Sequence, residues 1–479
     1  MGTATQHSAA GPGLGRERVS TTRRSRRRRL ATFGSGNRWR SGLVVLSMVA
    51  CAAVAPHTVA RAESDDFFAD TAGVQLDSVP PGTVLKTRTV DYHVAGIPLP
   101  LTAVQVLYRS TDALGAPTVN VTSVIRPPGA SGSKVVSFQS MYDSLNPADN
   151  PSRAIAADVR LGSLTPSGRN VEAGSLIASG ETAEFAPLLA QGYTVVVPDT
   201  EGQDAHFGAG PENGLHTLYS LRAVRSAPQT GIAPDAKIGL MGYSGGAIAT
   251  NWAAILAPEY APDINADLVG TAEGGILAAP ANSLKYANGS LGWAGVVGMA
   301  VVGIARSYHI DFTPYLSDFG KRVVAQLQDA SILNVLFQYP GLTWQQMMKP
   351  EFSDPNSVPE YVDIVNKLNM NTAATPTTPL FVAQGANGIL EATLPGGPGI
   401  GPGDAIMVTG DVRAMVNRYC DAGVPVEYDQ HDLLDHGLAL TAWLAHSPQW
   451  LADRFAGLPA PANCGHIAPG NLTHVEEHH

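Results

Sequence analysis

The chain is predicted to be an α/β protein, a mostly parallel sheet with flanking helices and an inserted helical segment, and three observations point to this fold class. Short β-branched runs at 135–138, 194–197, 237–241, 380–382 and 426–428 alternate with helical patterns. Most of these runs are apolar throughout, as strands covered on both faces must be. The interval 282–372 reads as helical without a strong strand signal, so it is expected to form a cap set into the sheet domain. Finally, 44% hydrophobic residues, 15% charged residues and 50 glycines describe a chain able to bury a large core rather than a disordered one. At 479 residues, one large domain carrying an insertion is the expected organisation. Its first part is 63–281, its cap 282–372 and its second part 373–479.

The first 62 residues have a different character. They hold eleven arginines against the single acid Glu17, a charge of +10, so residues 63–479 carry −20 to give the chain's net −10. The basic run Arg23-Arg24-Ser25-Arg26-Arg27-Arg28-Arg29 precedes an apolar stretch, 43–55, and then Ala60-Arg61-Ala62, the small-x-small form that signal peptidase cuts. Residues 1–62 are therefore read as a signal peptide, and the protein as secreted, with retention at the cell envelope left open. A retained anchor is the competing reading, but thirteen apolar residues fall short of the roughly 20 that span a bilayer. Cys51, after Met48-Val49-Ala50, makes a poor lipoprotein signal. An acidic mature chain would be repelled by phosphate, so no nucleic-acid partner is expected. Cys420 and Cys464 remain after cleavage, an even pair in an exported protein, and a disulfide between them is expected to tie the C-terminal tail to a core helix. The histidines His474, His478 and His479 are read as a solvated tail rather than a metal site.

The strongest local signal is Gly242-Tyr243-Ser244-Gly245-Gly246, between the run 238–241 and a helical-looking segment 247–256. In a glycine-rich chain that pattern arises by chance, but strand before and helix after are the context a nucleophile elbow needs. A serine hydroxyl is a weak nucleophile at neutral pH and requires a base, which an acid must hold in the right tautomer. His436, in Leu434-Asp435-His436-Gly437, follows the last strand and is favoured as the base over His431. Two carboxylates, Asp404 and Asp411, lie beyond the next-to-last strand. Asp411 is better explained as a first-turn residue of a helix running to Cys420; Asp404, in the loop before it, is placed to present a catalytic acid. The amide of Gly245 can donate to a developing oxyanion, and a second donor is expected in Met141-Tyr142-Asp143-Ser144. Asp143 fits two roles equally: an amide donor in that loop, or a helix N-cap. The uncharged stretch 291–305, with Trp293 and Met299, is either a buried helix of the cap or a surface that meets lipid or lines an acyl tunnel.

Several segments in order resemble the secretory lipase family of the α/β-hydrolase superfamily. They are Asp199-Thr200-Glu201-Gly202, Leu218-Tyr219-Ser220-Leu221-Arg222-Ala223, the elbow continued to Ala247, and Tyr260-Ala261-Pro262. Tyr142-Asp143-Ser144 is similar to that family's oxyanion loop and Asp404-Ala405-Ile406-Met407-Val408 to its acid loop. The likeness runs from about residue 70 to 460. It implies an α/β-hydrolase core with a helical lid, a triad of Ser244, Asp404 and His436, oxyanion residues Asp143 and Gly245, and activity on acylglycerols and simple esters. It implies no cofactor and no metal, an ester or lipid substrate with transient contact to a lipid interface, and no obligate protein partner. The insertion 396–403, rich in glycine, departs from the family pattern and lengthens the acid loop. Two other readings stay open: a carboxylesterase or acyltransferase using the same residues, and an exported surface protein that has lost catalysis.

Overall fold

The computed structural model describes residues 66–69, 71–157 and 175–479. The expected signal peptide and Cys51 lie outside these residues. The described residues form nine strands: β1 (Val84–Val94), β2 (Ile97–Thr111), β3 (Pro117–Ile125), β4 (Lys134–Gln139), β5 (Thr194–Pro198), β6 (Lys237–Tyr243), β7 (Leu268–Gly274), β8 (Leu380–Gly385) and β9 (Val426–His431). They make one sheet in the order β1-β2-β3-β5-β4-β6-β7-β8-β9. The pairs β1/β2, β2/β3 and β3/β5 are antiparallel, and every pairing from β5 to β9 is parallel. This is a mixed, mostly parallel α/β-hydrolase sheet.

Alternation along the parallel strands explains why both faces are covered. Val136, Phe138, Val195, Val197, Phe381 and Ala383 point to one face, where they pack against Trp443, Trp450 and Leu451 of the helix His436–Phe455. Val135, Val196, Ile238 and Leu240 point to the other, against Leu218, Leu221, Ala253 and Ala257 of the helices Gly210–Ser226 and Gly245–Tyr260. Both sets are apolar, so the period of 2 is hidden in a continuous run.

Four strands escape the sequence reading. β1 and β2 form an antiparallel hairpin in which polar residues alternate with apolar ones, and in β1 only Tyr92 is fully buried. Its two-residue turn is Ala95-Gly96, both at positive φ (48° and 78°), a geometry whose usual sequence signal is Asn-Gly or Asp-Gly. β3 pairs antiparallel with both β2 and β5. β7 reads as a poor strand because it contains two glycines; at Gly270 a Cβ would stand 2.7 Å from the Trp450 ring.

Between β7 and β8 the chain is helical, with its longer helices at Pro280–Ala287, Ala294–Ser307, Asp318–Leu327 and Pro359–Lys367. The uncharged stretch supplies most of Ala294–Ser307. This helix packs against the core closely enough that a Cβ at Gly303 would lie 2.3 Å from the Phe207 carbonyl oxygen.

Cys420, in the helix Thr409–Asp421, is joined to Cys464 by a disulfide with Cα atoms 5.5 Å apart and 44 residues of separation. Closing a loop of that length restricts the unfolded chain, so Cys464→Ala is expected to cost about 2–4 kcal/mol of stability, read from urea unfolding, with the sheet end of the site unaffected. The expectation of a solvated C-terminal tail is corrected in part. His478 and His479 are exposed, but Glu476 is 5% exposed and accepts hydrogen bonds from Lys285 Nζ and Asn356 Nδ2. A lysine partner and neutral amide donors offset the cost of burying that carboxylate.

Candidate active site

Ser244 follows β6 directly and caps the helix Gly245–Tyr260, with φ 54° and ψ −122°. A positive φ at a serine is strained, and its neighbours account for how it is held. The Ser244 amide donates to the Gly274 carbonyl at 2.9 Å, and the amide of Ile248 donates to the Ser244 carbonyl at 3.1 Å. A Cβ at Gly245 would lie 1.7 Å from Asp143 Oδ1, and one at Gly246 would lie 2.1 Å from the Gln139 carbonyl oxygen. Both glycines are therefore demanded by space, not by turn geometry alone.

The sequence-selected residues come together. His436 Nε2 lies 2.8 Å from Ser244 Oγ, and His436 Nδ1 lies 2.8 Å from Asp404 Oδ2. A carboxylate can only accept, so Nδ1 carries the hydrogen and Nε2 is left to accept from the serine hydroxyl. His436 is the first residue of its helix, and its amide donates to the Asp404 carbonyl at 2.7 Å. Asp404 is fully buried. Its Oδ1 accepts from the amides of Ile406 (3.2 Å) and Met407 (2.8 Å), and its Oδ2 also accepts from Gln384 Nε2 at 2.7 Å. The 396–403 insertion is accommodated without displacing the carboxylate.

The rejected alternatives are found elsewhere. His431 ends β9, and its ring has no hydrogen-bond partner among the described residues. Asp411 lies in the first turn of Thr409–Asp421, where Oδ1 accepts from Asn282 and Asn471.

Asp143 is not a helix cap. The next helical turn, Pro147–Asp149, is capped by Asn146, and Asp143 itself is at φ 37°. Its loop is stitched on every side: Met141 N donates to Glu181, Ser144 N to Glu201 Oε2 (3.1 Å), and Ile332 N to the Asp143 carbonyl (2.8 Å). Among the described residues, neither the amide of Asp143 nor that of Gly245 has a partner in another residue. Asp143 Oδ1 is likewise buried without one. Burial pushes the Asp143 carboxyl up to about 8, with the positive charge of His436 acting in the opposite sense. Burial alone would lower the His436 imidazolium, but Asp404, Glu391 and Asp143 outweigh it and leave His436 above its ordinary value.

Two supporting groups were not found from sequence. Gln384 lies two residues past the apolar run 380–382 on the same face as Val382, a position that period-2 alternation could have flagged. Glu391 accepts from the Gly437 amide (2.9 Å) and from Trp293 Nε1 (2.7 Å), and the Trp293 ring meets the His436 ring edge-on at 5.1 Å. A single acid in a glycine- and proline-rich loop gives no such signal.

From Ser244, Gly245 and Asp143 a cavity of about 90 Å³ runs beneath the helix Ala294–Ser307 toward Leu368, walled by side chains such as Ile248, Val297, Ile304 and Ile364. The uncharged stretch is thus both buried for most of its length and a tunnel wall, and these two readings of it are compatible.

The model of a family described as "Secretory lipase" matches residues 169–463. A protein named "Probable inactive lipase" from Mycobacterium tuberculosis is 30% identical over 82% of each chain. "Lipase 2" of Candida albicans is 30% identical over 85% of this chain and 84% of its own. Among solved structures, Candida antarctica lipase A in its closed state matches with a TM-score of 0.70 and 24% identity, over 83% of this chain and 87% of that one. The rice cell wall degrading esterase LipA of Xanthomonas oryzae matches at 0.56 and 15% identity, over 79% and 98%. With 295 consecutive residues under the family model and the fold shared, the chain belongs to the secretory lipase family.

Proposed function

We propose that the protein is a secreted serine ester hydrolase that cleaves acylglycerols and simple esters through an acyl-enzyme on Ser244. The hydrogen-bonded series Ser244–His436–Asp404, ending in an apolar tunnel, carries this reading. In the first step His436 Nε2 takes the Ser244 proton as Oγ bonds to the ester carbonyl carbon. The amides of Gly245 and Asp143 donate to the oxygen that becomes negative. His436 then returns the proton to the departing alcohol, and in the second half a water, deprotonated by the same nitrogen, releases the carboxylic acid. Residues 282–372 act as the cap, with Ala294–Ser307 over the acyl chain. Export is supported by the family and by the Cys420–Cys464 disulfide.

One relative's name calls it probably inactive, which favours a second reading in which catalysis is lost. Hydrolysis of p-nitrophenyl esters from acetate to palmitate by residues 63–479, with a serine-directed phosphonate as label, decides between them. Turnover and a phosphonate adduct on Ser244 are expected. A folded protein that does neither belongs to the second reading.

A bell-shaped pH profile is also expected. The base works only when neutral, so kcat/KM falls as pH drops through the His436 pKa, which lies above the ordinary value of about 6.5. At neutral pH the Asp143 carboxyl, at about 8, is mostly protonated; above that it ionises and places a negative charge beside the forming oxyanion. Asp143→Asn should therefore remove the alkaline limb and keep the acid one, measured as kcat/KM against pH.

A further inference from the structure

On the far side of the helix Ala294–Ser307 lies a second cavity, about 390 Å³ in volume, that does not reach Ser244. Its volume is within the roughly 300–1,000 Å³ of small-molecule sites. Leu284, Val297, Val301 and Phe312 line both cavities, so the two are separated by the thickness of one layer of side chains. The walls away from that partition are mainly apolar, with Val324, Leu342 and Met347 among them, and carry the polar side chains of Asn288, Gln328 and Thr343.

One end is charged. Arg306 donates from Nη1 to the carbonyls of Leu145 (3.0 Å), Asp204 (3.0 Å) and Ala205 (3.4 Å), and from Nη2 to that of Gln328 (2.7 Å). Every acceptor is a neutral backbone carbonyl. No carboxylate is within ion-pair distance of this guanidinium among the described residues, although Asp204 and Asp329 act on it from farther away. That is unexpected in a chain with 41 acidic against 31 basic residues. Asp311 and His309 stand at the rim, both exposed and screened by water.

We propose that this second cavity binds a long-chain fatty-acid anion, its chain against Val297, Val324 and Met347 and its carboxylate on Arg306. An apolar pocket with a single cation free of anionic partners is what an acid of that kind requires. The ligand class rests on the hydrolase reading, since an enzyme cleaving long-chain esters releases such acids beside this partition. It is a binding site and not a second catalytic one, since Ser244, His436 and Asp404 are not among the residues that line it.

The test uses residues 63–479 with Ser244 labelled by a long-chain alkylphosphonate, which fills the tunnel, and cis-parinaric acid as the fluorescent fatty acid. One further molecule should bind. Arg306→Gln should weaken it about tenfold, as the loss of one charge-assisted hydrogen bond does. Ala305→Trp, which fills the second cavity from a position outside the tunnel lining, should abolish binding even if the arginine variant folds poorly. The methyl ester of the probe should bind no more tightly to the parent than to Arg306→Gln. The proposal is overturned if labelling the tunnel removes all binding, if Ala305→Trp binds as the parent does, or if acid and methyl ester bind alike. Failure of the phosphonate to label Ser244 counts against the serine mechanism alone. In that case the stoichiometry of parinarate on unlabelled protein, one site fewer in Ala305→Trp or unchanged, still decides the cavity.

Discussion

Ser244→Ala is expected to lower kcat/KM on p-nitrophenyl esters by several orders of magnitude, about 10⁶-fold if the loss matches that of a serine protease nucleophile. The size of the effect follows from cooperation. With Oγ gone, His436 Nε2 has no proton to take, and the amides of Gly245 and Asp143 face a carbonyl that nothing attacks. What persists is the binding and oxyanion contribution, the residual seen when such sites are dismantled. The fold should survive, because the substitution deletes one hydrogen bond worth about 1 kcal/mol and leaves the backbone as it was. Ser244→Gly should be equally inactive yet more stable than Ser244→Ala by about 1 kcal/mol, since only glycine relieves the cost of φ 54°. Equal stability of the two variants would mean that the elbow is unstrained. Retained turnover in either would remove Ser244 from the mechanism.

How much of this could be read from sequence depended on whether the signal was local. The elbow was legible because its requirements are contiguous: a strand, a serine that must take positive φ, glycines where Asp143 and Gln139 press in, and a helix. His436 and Asp404 were legible as positions after successive strands, and the two rivals fell away for geometric reasons that no pattern contains. The parallel strands other than β7 were found, most of them because both their faces are apolar. β1 and β2 were not, because a hairpin at the sheet edge is only partly buried and its turn, Ala95-Gly96, lacks the usual residues. β7 was missed because Gly270 yields to Trp450, nearly two hundred residues later in the chain. Shorter separations were enough to hide Gln384, 20 residues from Asp404, and Glu391, 46 residues from Gly437, because their roles exist only once β8, the acid loop, the 388–391 turn and the His436 helix meet. Where a residue's reason lies in a partner from another element, composition and spacing are silent.

Asp404→Asn should cost about 10⁴-fold in kcat/KM while changing neither length nor shape, because the surrounding donors dictate which way an amide would face. Oδ1 of Asp404 receives two backbone N–H groups, from Ile406 and Met407, that cannot turn away. An asparagine must place its oxygen there and direct its NH₂ toward His436 and Gln384. Gln384 cannot easily turn to accept, since its Oε1 already takes the Ile276 amide at 3.2 Å. The NH₂ then faces Nδ1 of His436, which can accept only by giving up its hydrogen, and the proton moves to Nε2. Nε2–H is the wrong tautomer to receive the Ser244 proton, so the base is lost with every atom near its place. Asp411→Asn is the matched control: its carboxylate bonds to Asn282 and Asn471 and not to His436, so kcat/KM should stay within about threefold, as expected for a site with no shared partner. If the two variants lost activity equally, or Asp411→Asn lost more, the acid would have to be reassigned to the helix Thr409–Asp421. With Asp404→Asn alone impaired and its unfolding midpoint near the parent's, the loss lies in the tautomer rather than in the fold.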